Sequence, residues 1–393
     1  MADDKRAPRE KFLVFGSPQI EEAEIEEVVS VLRSRWLGTG PRVARLEKDF
    51  AAYKQVEQQQ MAAVNSCTAA LHLAMLAAGI GPGDEVITTA MTFCASVNAI
   101  IHAGATPVLV DIDPRTRNIA VDAIEAAITP RTRAILPVHI AGLPCDMDTI
   151  MSIANTSGLK VVEDCAHAIE TEYKGRKAGT IGDFGCFSFY VTKNMVTGEG
   201  GMVLARDKES AARIKRLALH GLSADAWQRF SDKGYKHYFV EECGFKYNMM
   251  DLQAAIGIHQ LARLEKNWLR RREIWQRYQQ AFRDLPLTLP TEAPADTRHA
   301  YHLYAIELRE DSKLSRDSFL QQMTERKIGV GVHYLAIPEH PFYQRTFGWL
   351  PANYPNAMRY GRHALSLPIS AGLTDGDVED VVASVIAILR AGE

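Results

Sequence analysis

Residues 85–113, EVITTAMTFCASVNAIIHAGATPVLVDID, decide the fold. EVITTA is a short apolar, β-branched run, long enough for a buried strand and too short for an ordinary helix. The stretch after Phe93 returns apolar residues at the spacing of one helical face. TPVLVDI, after Gly104, reads as a second buried strand. The same rhythm continues on both sides. MAAVNS (61–66), RAILPVHI (133–140) and LKVVEDC (159–165) read as strands. TAALHLAMLAAG (68–79), VDAIEAAI (121–128) and MDTIMSIANTSG (147–158) read as the helices between them. Such alternation predicts an α/β fold whose mostly parallel sheet is covered on both faces.

After residue 180 the rhythm changes. GDFGCFSFY (182–190) and GGMVLA (200–205) are strands joined by a short loop, with a helix following at about Lys208–Leu219. Met250 to about Leu285 is the longest helical pattern and reads as a link between two bodies. YHLYAIEL (301–308), the helix SRDSFLQQMTERK (315–327), the strand GVGVHY (329–334) and a last helix after Asp375 predict a small C-terminal α+β domain. The expected division is an arm over 1–11, a large domain over 12–255, and a linking helix with the small domain over 256–393.

The 393 residues are enough for such a pair, and 47% hydrophobic with 24% charged residues is ordinary for a globular chain. A net charge of −3 gives no electrostatic reason to expect nucleic acid. No apolar run reaches membrane-spanning length, and MADDKRAPREK is charged where a signal peptide would be apolar. Six cysteines lie scattered without a CxxC pair, which excludes the usual zinc spacings and predicts no metal. A reduced, cytoplasmic protein is the expectation.

Open α/β sheets bind ligands at the carboxyl ends of their strands. Those ends fall at Asn65–Thr68, Thr89–Phe93, His139, Asp164–His167 and the loop after Phe189. Taken singly, their residues have ordinary readings. A loop lysine such as Lys193 is a solvated charge, Asp164 a turn former, Asn65-Ser-Cys-Thr68 a helix cap, and Phe93 plain core. Together they are the parts of a pyridoxal phosphate site. Lys193 can form the imine, and Asp164 can keep a pyridine nitrogen protonated. Ser188 and the cap can hold a phosphate, while Phe93 can stack on a ring. No GxGxxG follows the first strand, so a nicotinamide dehydrogenase is set aside.

WLGTGPRVARLEKDFA, NSCTAALHLAM, GPGDEVITTAMTFCAS, GATPVLVDID, VVEDCAHA, FSFYVTKNMVTGEGGMV, HGLSADAW and GFKYNMMDLQAAIG follow one another in this order. They resemble the DegT–StrS family of sugar aminotransferases, over about residues 14–370. The resemblance implies a type I (aspartate aminotransferase-like) fold and pyridoxal 5′-phosphate as cofactor. Lys193 then resembles the imine lysine, Asp164 the partner of the pyridine nitrogen, and His167 the residue beside the phenolic oxygen. Phe93 matches the stacking aromatic; Cys67, Thr68 and Ser188 match phosphate positions. Asn248 matches a residue that reaches the phosphate of a neighbouring subunit, which implies a homodimer with shared sites.

Cys67 stands where Gly or Ala is usual, Cys165 where Ala is common, and Tyr190 where His or Asn is frequent. The resemblance is closest to the branch that aminates C4 of UDP-linked 4-keto sugars, with glutamate as donor. Gly38, Thr39, Tyr190 and His333 would then line the sugar pocket, and Arg229 and Lys246 could meet a pyrophosphate. His333 reads equally as a satisfied strand histidine, and the two cations as surface charges. A 3-keto TDP-sugar, a cyclitol ketone, or a non-catalytic regulatory protein are the other readings. Family members that dehydrate sugars carry His at the lysine position, which Lys193 argues against.

Overall fold

The computed structural model describes residues 9–223 and 237–392. A seven-stranded sheet forms its centre. Its strands are β1 (Met61–Val64), β2 (Glu85–Thr89), β3 (Thr106–Val110), β4 (Thr132–Leu136), β5 (Lys160–Asp164), β8 (Phe184–Ser188) and β9 (Gly201–Ala205). The short β6 (Glu172–Tyr173) and β7 (Arg176–Lys177) fall between β5 and β8 and pair elsewhere. The order is β1-β9-β8-β5-β4-β2-β3, and β9 alone runs against its neighbours. All other carboxyl ends therefore lie along one edge, so Asn65, Thr89, Asp164 and Ser188 are delivered to the same side.

The strands are apolar on both faces because both are covered. On β1, Ala62 and Val64 join one core while Met61 and Ala63 join another. The first core is closed by α3 (Cys67–Ala77) and α6 (Lys208–Ala218); α4 (Cys94–His102) adds to it, and α5 (Met147–Ser157) belongs to a third cluster. The opposite face is closed by α2 (Pro41–Lys54) and α7 (Asp251–Ala262), with α1 (Glu22–Ser34) against α7. Phe50, Phe187 and Phe189 meet edge to face there and are fully buried. Truncating Phe187 would cost roughly 3–5 kcal/mol.

Three expectations change. The pattern from Met250 to Leu285 is two helices, because Arg263 leaves helical geometry (φ −106, ψ 8) and α8 (Leu264–Phe282) starts afresh. The break follows packing. Ala254, Ile258 and Leu261 of α7 join the large-sheet core, whereas Ile274, Tyr278 and Phe282 of α8 join the small one. VDAIEAAI is two separate 3-10 turns, Val121–Ala123 and Glu125–Ala127. GVGVHY is not a strand; it makes only the bridge Gly331–Ser366.

The small core is built by β10 (Leu287–Thr288), β12 (Tyr304–Leu308) and β13 (Ala364–Leu367), with α9 (Arg316–Glu325) and α12 (Asp375–Gly392). β11 (Thr297–Arg298) instead pairs with β6. Helices α10 (Pro341–Phe347) and α11 (Pro355–His363) pack where the two bodies meet. The predicted arm over 1–11 is tied down by residue 9: Arg9 pairs with Asp377 at 2.7 Å and Asp380 at 2.5 Å. No helix among the described residues is long and apolar enough to cross a membrane.

Candidate active site

A cavity of about 550 Å³ opens along the carboxyl edge of the sheet. Asp164, the last residue of β5, is buried there. Its Oδ1 accepts from the Ala166 N–H at 3.0 Å and its Oδ2 from the Ser96 hydroxyl at 2.8 Å. Since Ser96 spends its proton on the carboxylate, the 2.7 Å contact with Thr92 must be a bond donated by Thr92. Burial raises the Asp164 pKa, while Ala166, Ser96 and Lys193 pull it back. An incompletely neutralised buried carboxylate attracts a cationic N–H.

Lys193 lies in the turn after β8, its backbone N–H bonded to the Tyr190 carbonyl at 2.9 Å. Burial pulls its ammonium pKa down to about 8, partly offset by Cys67 and Asp164. A substantial neutral fraction thus exists near physiological pH, as a nucleophile or proton carrier requires.

His167 is neutral. Burial, then Lys193, His302 and His333, hold its pKa well below the ordinary value. The Ala141 N–H donates to its Nδ1 at 3.2 Å, so the proton sits on Nε2 and is donated to the Tyr334 hydroxyl at 3.0 Å. Tyr334 keeps its own hydrogen to donate.

The amino end of α3 lines the same cavity. Ser66 caps it, its Oγ accepting from the Ala69 N–H at 3.1 Å. Cys67 and Thr68 line the cavity at the positive end of the helix, a setting that favours an anion. Gly201 permits this approach: a Cβ there would lie 2.7 Å from the Ser66 carbonyl carbon and 2.8 Å from the Cys67 nitrogen.

Of the residues singled out from sequence, Cys67, Thr68, Phe93, Asp164, His167, Ser188, Tyr190, Lys193 and His333 all line this cavity. Phe93 is 55% exposed, not core. His333 lies outside any strand and lines the cavity. It faces the cavity, bonds Ser366 Oγ at 3.0 Å and stacks on Phe15; burial and Lys193 hold its pKa at about 4. Gly38, Thr39 and Asn248 are not on this chain's cavity. They form a separate group, with Asn248 Nδ2 donating to Thr39 Oγ1 at 2.7 Å.

Lys246 is exposed, and Arg229 falls outside the described residues. His139 is structural. Its Nδ1 accepts from the Cys145 N–H and its Nε2 lies 3.1 Å from Glu163, which also takes the N–H groups of Gly179, Ile181 and Gly182. Cys165 packs in the core, and all six thiols are unpaired. Sequence reasoning missed Ser96, Tyr334 and His302. Ser96 sits within the quoted FCAS segment and Tyr334 beside His333, but nothing local marks His302.

The set fits pyridoxal phosphate: a buried acid for a ring nitrogen, a depressed lysine, a helix terminus for a phosphate, and an exposed aromatic on the wall. Residues 18–386 match the DegT/DnrJ/EryC1/StrS aminotransferase family. The chain belongs to that family.

It is 48% identical to the spore coat polysaccharide biosynthesis protein SpsC of Bacillus subtilis, over 98% of this chain and 99% of SpsC. The putative sugar aminotransferase Spr1654 of Streptococcus pneumoniae, in its PMP form, superposes with a TM-score of 0.92 at 33% identity, covering 97% of this chain and all (100%) of that one. Its PLP form gives 0.90 at 32% identity, with the same coverage of 97% and 100%. The aminotransferase TlmJ of Streptoalloteichus hindustanus gives 0.87 at 35% identity, covering 97% and 99%. As a DegT/DnrJ/EryC1/StrS member, this protein is a pyridoxal phosphate-dependent aminotransferase with the type I fold.

Proposed function

We propose that this aminotransferase passes an amino group from glutamate to the C4 ketone of a nucleotide-linked, UDP-type 4-keto sugar. The observation that carries a bulky polyol acceptor is the cavity wall within electrostatic reach of Lys193. It is made of neutral hydrogen-bonding rings, His167, His302, His333 and Tyr334, and among the described residues no arginine lines it. The likeness to a polysaccharide biosynthesis protein over the whole chain supports a sugar acceptor.

Bound pyridoxal phosphate supplies an electron sink that lets a carbon bearing nitrogen lose and regain a proton. The chain's own residues do the rest. Asp164 holds a negative charge for the ring nitrogen, and Ser96 keeps that carboxylate oriented. Cys67 and Thr68 would hold the phosphate through backbone N–H groups, Ser188 would add a hydroxyl, and Phe93 would supply an aromatic surface for the ring. Lys193 Nζ, once released and neutral, takes the proton from the donor's α-carbon and later delivers one to the sugar carbon.

The assembly we infer is a homodimer with shared sites. Thr39 and Asn248 are bonded into one group away from this chain's own cavity, and Trp36, Leu37 and Met250 beside them are 46%, 42% and 43% exposed. A second copy covering that surface would bring Gly38, Thr39 and Asn248 to its own cavity.

The test is a pair of half-reactions followed in the visible spectrum. Glutamate bleaches the loaded enzyme, and a UDP-4-keto sugar restores the colour and appears as the amino sugar. Restoration by a TDP-3-keto sugar or a cyclitol ketone alone would overturn the substrate assignment. Mixing Lys193→Ala with Asn248→Ala protomers tests sharing, since mixed dimers regain one intact site. No recovery on mixing refutes it.

A further inference from the structure

Arg271, Glu170, Asn194 and His302 form one bonded line from the interior of α8 to the cavity. Arg271 pairs with Glu170. Glu170 Oε2 accepts from Asn194 Nδ2 at 2.9 Å, and the other hydrogen of that amide goes to the Ala300 carbonyl at 3.1 Å. Asn194 Oδ1 lies 3.0 Å from His302 Nδ1. With both amide hydrogens committed, only the oxygen faces the ring, and an amide oxygen can only accept. The His302 proton therefore sits on Nδ1, and Nε2 keeps its lone pair. His167, whose ring lies 4.4 Å away, has the opposite tautomer. Burial and Lys193 keep both rings neutral.

We propose that His302 Nε2 is the hydrogen-bond acceptor for a hydroxyl of the amino acceptor, and that Asn194, Glu170 and Arg271 are positioning residues that fix its tautomer. The hydroxyl-bearing ligand rests on the keto-sugar reading above. Chemistry favours the sugar over the amino donor: a hydroxyl meets the lone pair with a proton, whereas a carboxylate meets it with a second lone pair. The group thus discriminates in one half-reaction only. His167, in ring contact with His302 at 4.4 Å and bonded to the Tyr334 hydroxyl at 3.0 Å, links the two, so the same wall offers an acceptor and a donor, as neighbouring sugar hydroxyls require.

His302→Phe keeps a flat ring and removes the acceptor, while His302→Gln restores an amide oxygen. Bleaching by glutamate is the folding control. For His302→Phe the sugar half-reaction is expected to lose about tenfold to a hundredfold in kcat/KM, with His302→Gln recovering part of it. A substrate lacking the bonded hydroxyl is expected to react equally with wild type and His302→Phe. Nitrogen-15 NMR of histidine-labelled protein is expected to show His302 protonated on Nδ1, and mixed tautomers in Asn194→Leu. A wild-type His302 protonated on Nε2 overturns the proposal. So does equal damage to both half-reactions, or an unchanged sugar reaction in His302→Phe beside an active wild type. Wild-type enzyme that aminates no keto sugar overturns the functional reading and this ligand with it, while the NMR result still decides the tautomer.

Discussion

Capture of pyridoxal phosphate by the apoprotein should follow the titration of Lys193. Only the neutral amine attacks an aldehyde. An ordinary lysine at 10.5 is about 0.03% neutral at pH 7, whereas one at about 8 is about 9% neutral. The ratio is roughly 300-fold in reactive amine. Stopped-flow absorbance between pH 6 and 10.5, normalised to a free lysine derivative, reads this directly. The normalised rate should exceed unity most at low pH and decline above pH 8, because the protein amine saturates while the free one keeps titrating. Asp164→Asn removes an anion that raises the lysine pKa, so the break moves to lower pH.

The same titration has a stability side. The folded pKa is lowered, so between about 8 and 10.5 the unfolded chain binds more protons and stability rises with pH. Lys193→Met should flatten that rise by at most on the order of 3 kcal/mol. A normalised rate that stays level through pH 10 would falsify the account, since it would mean an unperturbed lysine.

Ser96→Ala removes a donor from Asp164 Oδ2 and should weaken cofactor retention about tenfold with little change in melting temperature; dialysis against a spectral readout checks it. Gly201→Ala places a methyl against Ser66 and Cys67, so both stability, by about 1–3 kcal/mol, and phosphate affinity should fall together; a normal affinity with a lowered melting point would refute the cradle. Arg271→Met strands the Glu170 carboxylate in the core, costing about 3–5 kcal/mol in denaturant unfolding near pH 8. Burial already raises Glu170, and loss of its partner raises it further, so protonation should shrink this deficit toward pH 5.

The large sheet was legible because each strand is short, apolar and separated by a helical repeat, a pattern fixed by local sterics and burial. That Lys193, Asp164, Ser188 and Cys67-Thr68 would meet in one cavity was legible too, because all lie at or just after the carboxyl ends of strands. GVGVHY was misread: its β-branched valines suit a strand, but Gly331 alone bridges to Ser366. The long helical pattern was likewise broken at Arg263, where two cores divide its apolar residues between them. Propensity carries no record of which core will claim a side chain.

Strand ends told which residue types meet at the cavity, and they told nothing about protons. Only tertiary structure places the Ser96 hydroxyl on Asp164, Ala141 on one nitrogen of His167 and Asn194 on one nitrogen of His302. Those contacts join residues 26, 68 and 108 positions apart, a separation no local pattern encodes. They decide which groups donate and which accept. The sequence by itself determined an aminotransferase scaffold with a candidate lysine and acid; the folded chain decided the charge and tautomer of the cavity wall around them.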